Sequence, residues 1–196
     1  MPNEPALRPV QSVPGVLVHP STDRRLAAAH WLLSTLRNPA EGRRDWERDG
    51  VAVLPLGTLF SAVRMPAALL LALVGDRDVP SPKVDALLDE VLDGGPVICD
   101  PSYGRYYALV PASMPTTWRD AATEWHAMDV DVIGRGIYLG VPSLEATEYD
   151  PYTRASYWSV PMASAAELCP PLSVARLIAA GRHAAPEMEV ASDEEA

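Results

Sequence analysis

Two aspartates, Asp129 and Asp131, form the pair of side chains in this sequence best suited to chemistry. They stand two residues apart where a segment of strand character, 130–133, begins. Alternate strand residues point to one face, so the two carboxylates are predicted to converge on a hard divalent cation, Mg²⁺ or Mn²⁺. Such an ion supports nucleotidyl transfer by neutralising phosphate charge and lowering the pKa of an attacking hydroxyl. The alternative interpretation is that both aspartates cap a loop and face water.

Two further segments have the composition of anion- or base-binding surfaces. In the tight turn 134–136, two glycines flank Arg135, and a glycine turn can offer backbone N–H groups and a guanidinium to a phosphate. Arg105 and Tyr107 alternate along a strand-like segment, which puts a cation and a stacking ring on one face. The alternatives are a solvated turn arginine for Arg135 and ordinary core or rim packing for Tyr106 and Tyr107.

The strong motifs of common enzyme classes are absent from the sequence. It contains no GxxxxGK[ST], GxGxxG, HExxH or GxSxG pattern, which argues against phosphate-loop, dinucleotide, zincin and hydrolase chemistry. The four histidines are far apart, and Cys99 and Cys169 are isolated, so neither a zinc site nor a disulfide framework is expected. We therefore expect no cofactor, unless Mg²⁺ or Mn²⁺ binds Asp129 and Asp131.

The elements that must position these residues alternate between helix and strand. The best-defined helix covers 81–92, with Ser81 as cap, Pro82 at the first helical position, an apolar stripe and a Gly94-Gly95 stop. The predicted helices are 22–36, 66–74, 81–92, 117–127 and 172–180. The predicted strands are 51–54, 59–65, 96–99, 105–110, 130–133, 137–141 and 157–160. The polar run 41–49 is interpreted as a connection.

This order predicts an α+β, or mixed α/β, fold in which helices flank a mixed sheet. The segments 96–110 and 130–141 are each expected to form a pair of strands. Residues 1–20, with five prolines, are expected to be an extended lead-in, and residues 21–183 a single domain. The acidic residues 184–196 are expected to be disordered.

Length and charge restrict the function classes. The chain has 196 residues and a net charge of −10, and five of its 26 acidic residues follow Arg182, the last basic residue. Acidity disfavours tight non-specific binding to duplex nucleic acid and favours a protein partner, with single-stranded nucleic acid or a nucleotide as a weaker ligand. The sequence offers neither a signal peptide nor a run of about 20 apolar residues, which predicts a cytoplasmic protein without membrane contact.

Several segments together resemble the N-terminal domain of bifunctional DNA primase/polymerases, the prim-pol branch of the archaeo-eukaryotic primase superfamily. The stretch 131–143 is similar to the family's late aspartate strand, glycine turn and hydrophobic strand with a Pro-Ser ending, and 157–161 resembles its closing aromatic strand. The stretch 104–110 falls where the family has a histidine strand, and 54–64 where it has a glycine turn and a paired-aspartate strand. The resemblance covers about 50–161 and implies a primase/polymerase-like sheet.

The chain departs from this family at the catalytic positions. Ser61 to Arg64 stand in the paired-aspartate strand, and the sequence has no carboxylate between Asp49 and Asp76. Tyrosines occupy the histidine strand, and Asp131 alone falls on the late acidic position. Because an arginine repels a divalent cation, two-metal polymerisation is hard to support.

The resemblance and these departures together predict a non-catalytic relative that acts as an accessory or regulatory binding protein in DNA replication or for a mobile element. We expect no catalytic residue, and Arg64, Arg105, Tyr107 and Arg135 as candidates for contacting a nucleotide or nucleic acid. One alternative is a divergent metal-dependent nucleotidyltransferase that uses Asp129 and Asp131, with Asp100 or Asp76 as a further acid. A second is a protein-interaction domain unrelated to primases.

Overall fold

The α+β composition predicted from the sequence is confirmed by the computed structural model, which describes residues 10–13, 16–18 and 21–193 and the side chains of residues 21–184. Its helices are α1 (Ser21–Leu33), α2 (Pro39–Asp49), α3 (Ala67–Val74), α4 (Pro82–Val91), α5 (Met114–Thr117), α6 (Arg119–Trp125), a 3₁₀ turn (His126–Met128) and α7 (Pro171–Asp193). Its strands are β1 (Val10–Val13), β2 (Val16–Val18), β3 (Val51–Pro55), β4 (Phe60–Pro66), β5 (Val97–Asp100), β6 (Arg105–Pro111), β7 (Asp131–Ile133), β8 (Tyr138–Pro142) and β9 (Tyr157–Val160).

The centre of the fold is a five-stranded sheet in the order β7-β4-β6-β5-β9. A separate two-stranded ribbon consists of β3 and β8, and β1 pairs with β2. All pairings among the described strands are antiparallel, so the expected mixture of parallel and antiparallel strands is wrong. The reason is local, because the β5–β6 hairpin joins its strands by a short loop and needs no helical crossover.

Two apolar clusters cover the two faces of this sheet. Alternation along β4 divides them, since Val63 and Met65 belong to one cluster and Ala62 to the other. Helices α3, α4 and α7 pack on the first face, which also receives Trp125 of α6. On the second face lie α1 and the β3–β8 ribbon. The second face is important for function, because its polar end forms the candidate site.

The best-defined predicted helix is confirmed with its start signal. Helix α4 begins at Pro82, and the hydroxyl of its N-cap Ser81 accepts a hydrogen bond from the Val84 N–H at 3.4 Å. The same hydroxyl donates to Asp76 at 2.9 Å. Ser81 is buried, so both partners replace water that this hydroxyl has lost.

The run 41–49, expected to be a polar connection, is instead part of helix α2. Pro39 lies in its first turn, and Gly50 ends it in the left-handed region at φ 72°, donating its N–H to the Trp46 carbonyl. The helix has almost no apolar stripe, because Gly42 is its one buried residue among those described. Start and stop residues were therefore better signals here than hydrophobic periodicity.

The segments 130–133 and 137–141 both form strands, but the expectation that they pair with one another is wrong. Strand β7 pairs with β4 in the large sheet, whereas β8 pairs with β3 in the ribbon. The glycine turn between them carries the chain from one sheet to the other. Gly134 fits closely there, because an added Cβ would lie 2.7 Å from Pro115 Cγ.

Three further boundaries differ from the sequence expectation. The predicted helix 117–127 is divided at Trp118 into α5 and α6. Within the lead-in, residues 10–13 and 16–18 are paired strands, and the rest of residues 1–20 lies outside the described residues. Helix α7 continues through Asp193, so the backbone of residues 184–193 is helical where disorder was expected, since alanine, glutamate and methionine extend an existing helix easily. Residues 194–196 are not described.

Candidate functional site

The second face of the sheet changes from apolar to charged towards the end where β6 begins. Arg64 of β4 lies directly opposite Asp131 of β7 on one side and Tyr107 of β6 on the other. Residues directly opposite one another in antiparallel strands share a face, so these three side chains are neighbours. Arg105 alternates with Tyr107 along β6 and joins them, as predicted from the sequence.

Asp131 is held by two donors at once. Arg64 Nη2 donates to Asp131 Oδ2 in a short ion pair, and His126 Nδ1 lies 2.8 Å from Asp131 Oδ1. Burial alone would raise the pKa of this carboxyl, but the hydrogen bonds from His126 and Arg64 and the Arg64 charge outweigh it and lower the pKa below its usual value. Asp131 is therefore an ionised carboxylate with one hydrogen-bond partner at each oxygen.

Asp129 has a different partner and a different backbone environment. It follows the 3₁₀ turn in the left-handed region at φ 58° and precedes β7, so it is not a strand residue. Its Oδ2 lies 2.5 Å from Nη1 of Arg105. Asp129 lies outside β7, so the strand alternation on which the prediction of converging carboxylates was based does not apply to it.

These contacts do not fit the divalent cation that the nucleotidyltransferase alternative requires. Both carboxylates are ion-paired to guanidinium groups, and a metal would have to displace Arg64 and Arg105. Among the described residues, no group of three or more His, Cys, Asp or Glu side chains is arranged to hold a metal ion. Of the further acids considered, Asp100 lies on this face in β5, while Asp76 is bonded to Ser81 before α4.

The strand that the resemblance aligns with paired aspartates carries packed residues instead. Ser61 is fully buried, and its hydroxyl donates to the Ala112 carbonyl at 3.4 Å. Ala62 and Val63 belong to the two apolar clusters. Within residues 61–64, Arg64 is thus the one residue with a charged side chain in the site.

Arg135 is not part of this group, contrary to the sequence expectation. Its backbone packs against Gly57, where an added Cβ would meet Arg135 N at 2.5 Å. The adjoining Gly134 lies beside Ser61, whereas Arg105 pairs with Pro66 at the other end of β4. Five strand residues span about 17 Å, so the backbone of Arg135 is separated from Arg105 by about that distance along β4.

A cleft of about 350 Å³ opens between the polar end of the sheet and the ribbon. Arg64, Ile98 and Tyr107 contribute from the sheet side. Tyr138 and Gly140 of β8 line the ribbon side, and the side chain of Tyr138 is 66% exposed. The Nε atom of Arg64 is buried and has no hydrogen-bond partner among the described residues, so the guanidinium faces the cleft through its exposed part. An arginine, two tyrosine rings and a concave surface are suited to a planar ligand with an anionic group.

The sequence analysis missed His126 and Tyr138 as residues of this site. His126 was included in a helix end, and Tyr138 was treated only as part of a strand. His126 and Asp131 are five residues apart, which matches neither the helix period nor the strand period. Their spacing is therefore only a weak signal that the two side chains meet. Tyr138 reaches the cleft only because the ribbon packs across the sheet.

Comparison with known proteins does not add to this picture. Scans against protein-family models and searches of curated proteins and of solved structures found no match. Among the described residues, no helix is both long and apolar enough to span a membrane.

Proposed function

We propose that this chain is a non-catalytic primase/polymerase-like protein that acts as a cytoplasmic accessory or regulatory binding module in DNA replication or for a mobile element. The observation that carries the proposal is the ion pair between Arg64 and Asp131. Arg64 stands in the strand where the resembled family has paired aspartates, and its guanidinium pairs with Asp131, the residue at the late acidic position. The predominance of arginine among the basic residues also fits a high-GC, actinobacterial-type source.

The chemistry of the cleft supports a ligand class for this module. Tyr107 and Tyr138 offer rings for stacking, while Arg64 contributes a positive charge to the cleft lining. Both arginines of the site are already paired with carboxylates, so few cations remain to neutralise phosphates. We therefore expect a nucleotide or single-stranded nucleic acid to bind weakly and in a salt-sensitive manner, and a protein partner to supply most of the affinity.

Primer synthesis and extension assays test the absence of catalysis. The full chain is incubated with a single-stranded template, nucleoside triphosphates and either Mg²⁺ or Mn²⁺, and we expect no product above background. Asp131→Ala is the matched variant. A template-dependent product that disappears in Asp131→Ala would contradict the proposal and support the nucleotidyltransferase alternative.

Fluorescence anisotropy at low salt tests the cleft. Labelled single-stranded DNA and a labelled nucleotide are titrated with wild type, Arg105→Ala, Tyr138→Ala and the control Arg176→Ala. We expect dissociation constants of tens of micromolar or weaker, which rise at least threefold for Arg105→Ala and Tyr138→Ala. Arg176→Ala should bind as wild type does, because Arg176 is exposed on α7, which packs on the other face of the sheet.

If the control loses as much affinity as the cleft variants, charge alone determines binding and the cleft is not the site. If wild type binds neither ligand, the nucleotide assignment is wrong, and an interaction domain unrelated to primases becomes the better explanation.

A further inference from the structure

A second concave surface lies beside β9, away from the cleft. This groove of about 550 Å³ runs between the segment before α4, the first turn of α4 and the loop that precedes β9. Its lining combines carboxylates, tyrosine rings and prolines: Asp78, Pro80, Pro82, Asp85, Glu148, Tyr149 and Tyr157 belong to it. Nothing in the proposed function uses these residues.

Asp85 is the central charged group of the groove. Its Oδ1 accepts a hydrogen bond from Ser159 Oγ at 2.5 Å, and its Oδ2 accepts one from the Tyr157 hydroxyl at 3.0 Å. None of the described basic residues lies within ion-pair distance of it, and Lys83 on the same helix lies 3.8 Å from Asp76 instead. Burial raises the pKa of Asp85, while hydrogen bonds from Ser159 and Tyr157 oppose that effect. The Asp85 carboxylate is thus held in position by two hydrogen bonds but has no cationic partner among the described residues.

The wall beside Asp85 is aromatic. The rings of Tyr149 and Tyr157 are 6.2 Å apart between centroids and inclined at 53°. The Tyr157 ring is fixed at its hydroxyl by Asp85 and is only 4% exposed, so the partly exposed Tyr149 ring is the one that a ligand can reach. An ammonium group gains energy from a tyrosine face as well as from a carboxylate.

The remaining lining favours a cation with an aliphatic stem. Val79, Pro80 and Pro82 form an apolar side of the groove, and Asp78 and Glu148 are exposed at its rim. The rim carboxylates provide a negative field towards which a basic ligand is attracted. The apolar side can cover the methylene groups of a long side chain.

We propose that this groove binds the ammonium group of a lysine side chain presented by a partner protein. Lysine fits better than arginine, because each Asp85 oxygen already accepts one hydrogen bond and the carboxylate no longer offers two free oxygens to a planar fork. A compact ammonium needs a single remaining carboxylate lone pair together with the face of Tyr149. The assignment is independent of the cleft and of its nucleotide.

Nuclear magnetic resonance titration of the full chain tests the site. The probes are Nα-acetyl-lysine methylamide, its Nε-acetylated neutral form and Nα-acetyl-arginine methylamide, with spermidine as a free polyamine. We expect saturable shifts of amides in residues 78–85 and 147–157, with millimolar affinity for the lysine probe. The neutral probe should bind at least tenfold more weakly, and the arginine probe about threefold more weakly.

Three variants measure separately how the Asp85 carboxylate, the Tyr149 ring and the exposed rim residue Glu148 contribute to binding. Asp85→Asn should weaken the lysine probe at least tenfold, and Tyr149→Ala about threefold, as the loss of one cation–π contact predicts. Glu148→Gln alters an exposed rim residue and should weaken binding about twofold without affecting folding. The controls are Asp89→Asn, exposed on the same helix, and Tyr152→Ala, an exposed tyrosine outside the groove, and both should bind as wild type does.

Three outcomes overturn the proposal. The first is the absence of saturable shifts with the lysine probe. The second is equal binding of the neutral probe, or equal weakening by the control variants. The third is spermidine binding more than tenfold tighter than the lysine probe at the same amides, which assigns the groove to a free polyamine. If Asp85→Asn fails to fold, Tyr149→Ala and Glu148→Gln still decide between these outcomes.

Discussion

At the residue scale, the Arg64–Asp131 ion pair is the contact that defines the cleft. The side chains are 37% and 22% exposed, so the pair is intermediate between a surface salt bridge and a buried one. Replacing Arg64 leaves a half-buried carboxylate whose remaining partner among the described residues is His126 Nδ1, at 2.8 Å. We expect Arg64→Met, which keeps the aliphatic stem, to lower the free energy of unfolding by about 1–2 kcal/mol.

Urea denaturation measures this effect, and Arg48→Met is its control. Arg48 pairs with Asp45 and Asp49 on the exposed surface of α2, and its loss should leave the unfolding midpoint unchanged. Equal destabilisation by the two variants would mean that the Arg64–Asp131 pair contributes no more than an exposed ion pair.

The lowered pKa of Asp131 predicts a particular pH dependence. Its folded pKa lies below the ordinary value of 3.8, so near that value the unfolded state binds more protons than the folded one. The stabilisation is therefore present above pH 3.8 and is lost as pH falls through the lowered pKa. We expect the gap in urea midpoint between wild type and Asp131→Asn to be constant from pH 5 down to about pH 4 and to shrink below it. A gap that stays constant down to pH 2.5 would show that the ionised form is not what stabilises the fold.

At the element scale, the N-cap of α4 can be tested with a matched serine. Ser81→Ala removes the hydroxyl that accepts from Val84 N–H and donates to Asp76, and we expect it to cost about 1–2 kcal/mol. Ser113 precedes α5 without a side-chain capping bond, so Ser113→Ala should cost much less. Thermal unfolding followed by circular dichroism compares the two, and similar losses would rule out the cap as the cause.

The contact between the β3–β4 turn and the 134–136 turn fixes how the ribbon meets the sheet. Gly57 has φ 85°, and an added Cβ would lie 2.5 Å from the Arg135 backbone nitrogen. Gly75 also has a positive φ, of 62°, but an added Cβ there meets open space. We expect Gly57→Ala to destabilise the fold by about 3 kcal/mol or more and Gly75→Ala by about 1 kcal/mol, in chemical denaturation. Equal losses of unfolding free energy in the two variants would mean that the two turns are not in close steric contact.

At the scale of the whole molecule, α7 contributes to the core through its first half. Its buried residues among those described are Val174, Leu177, Ile178 and Gly181, and it packs chiefly on α3. We expect a chain ended after His183 to unfold within about 2 °C of the full chain, because these core contacts remain. Ending the chain after Leu172 instead removes them and should abolish cooperative unfolding. A fall of several degrees on removing residues 184–196 would show that the acidic end of α7 docks on the body.

Local signals in the sequence determined most of the elements. Cap, stripe and stop residues identified α4, and two strand-like segments with side chains that alternate between faces, joined by the turn residues 100–104, identified the β5–β6 hairpin, because these features act over a few residues. The same alternation placed Arg105 and Tyr107 on one face. Helix α2 escaped detection because it buries almost nothing, which leaves no apolar period to read.

The pairing of those elements, and with it the site, was decided by tertiary structure. Strand β7 could pair with β8 across its glycine turn or with β4, and Arg64 makes the second choice favourable by meeting Asp131 in register. That pairing, rather than spacing, gave each aspartate an arginine and separated the backbone of Arg135 from Arg105 along β4. The cleft beneath Tyr138 and the groove around Asp85 join segments far apart in the chain. Contacts of that kind depend on which surfaces bury together, and no short sequence pattern records them.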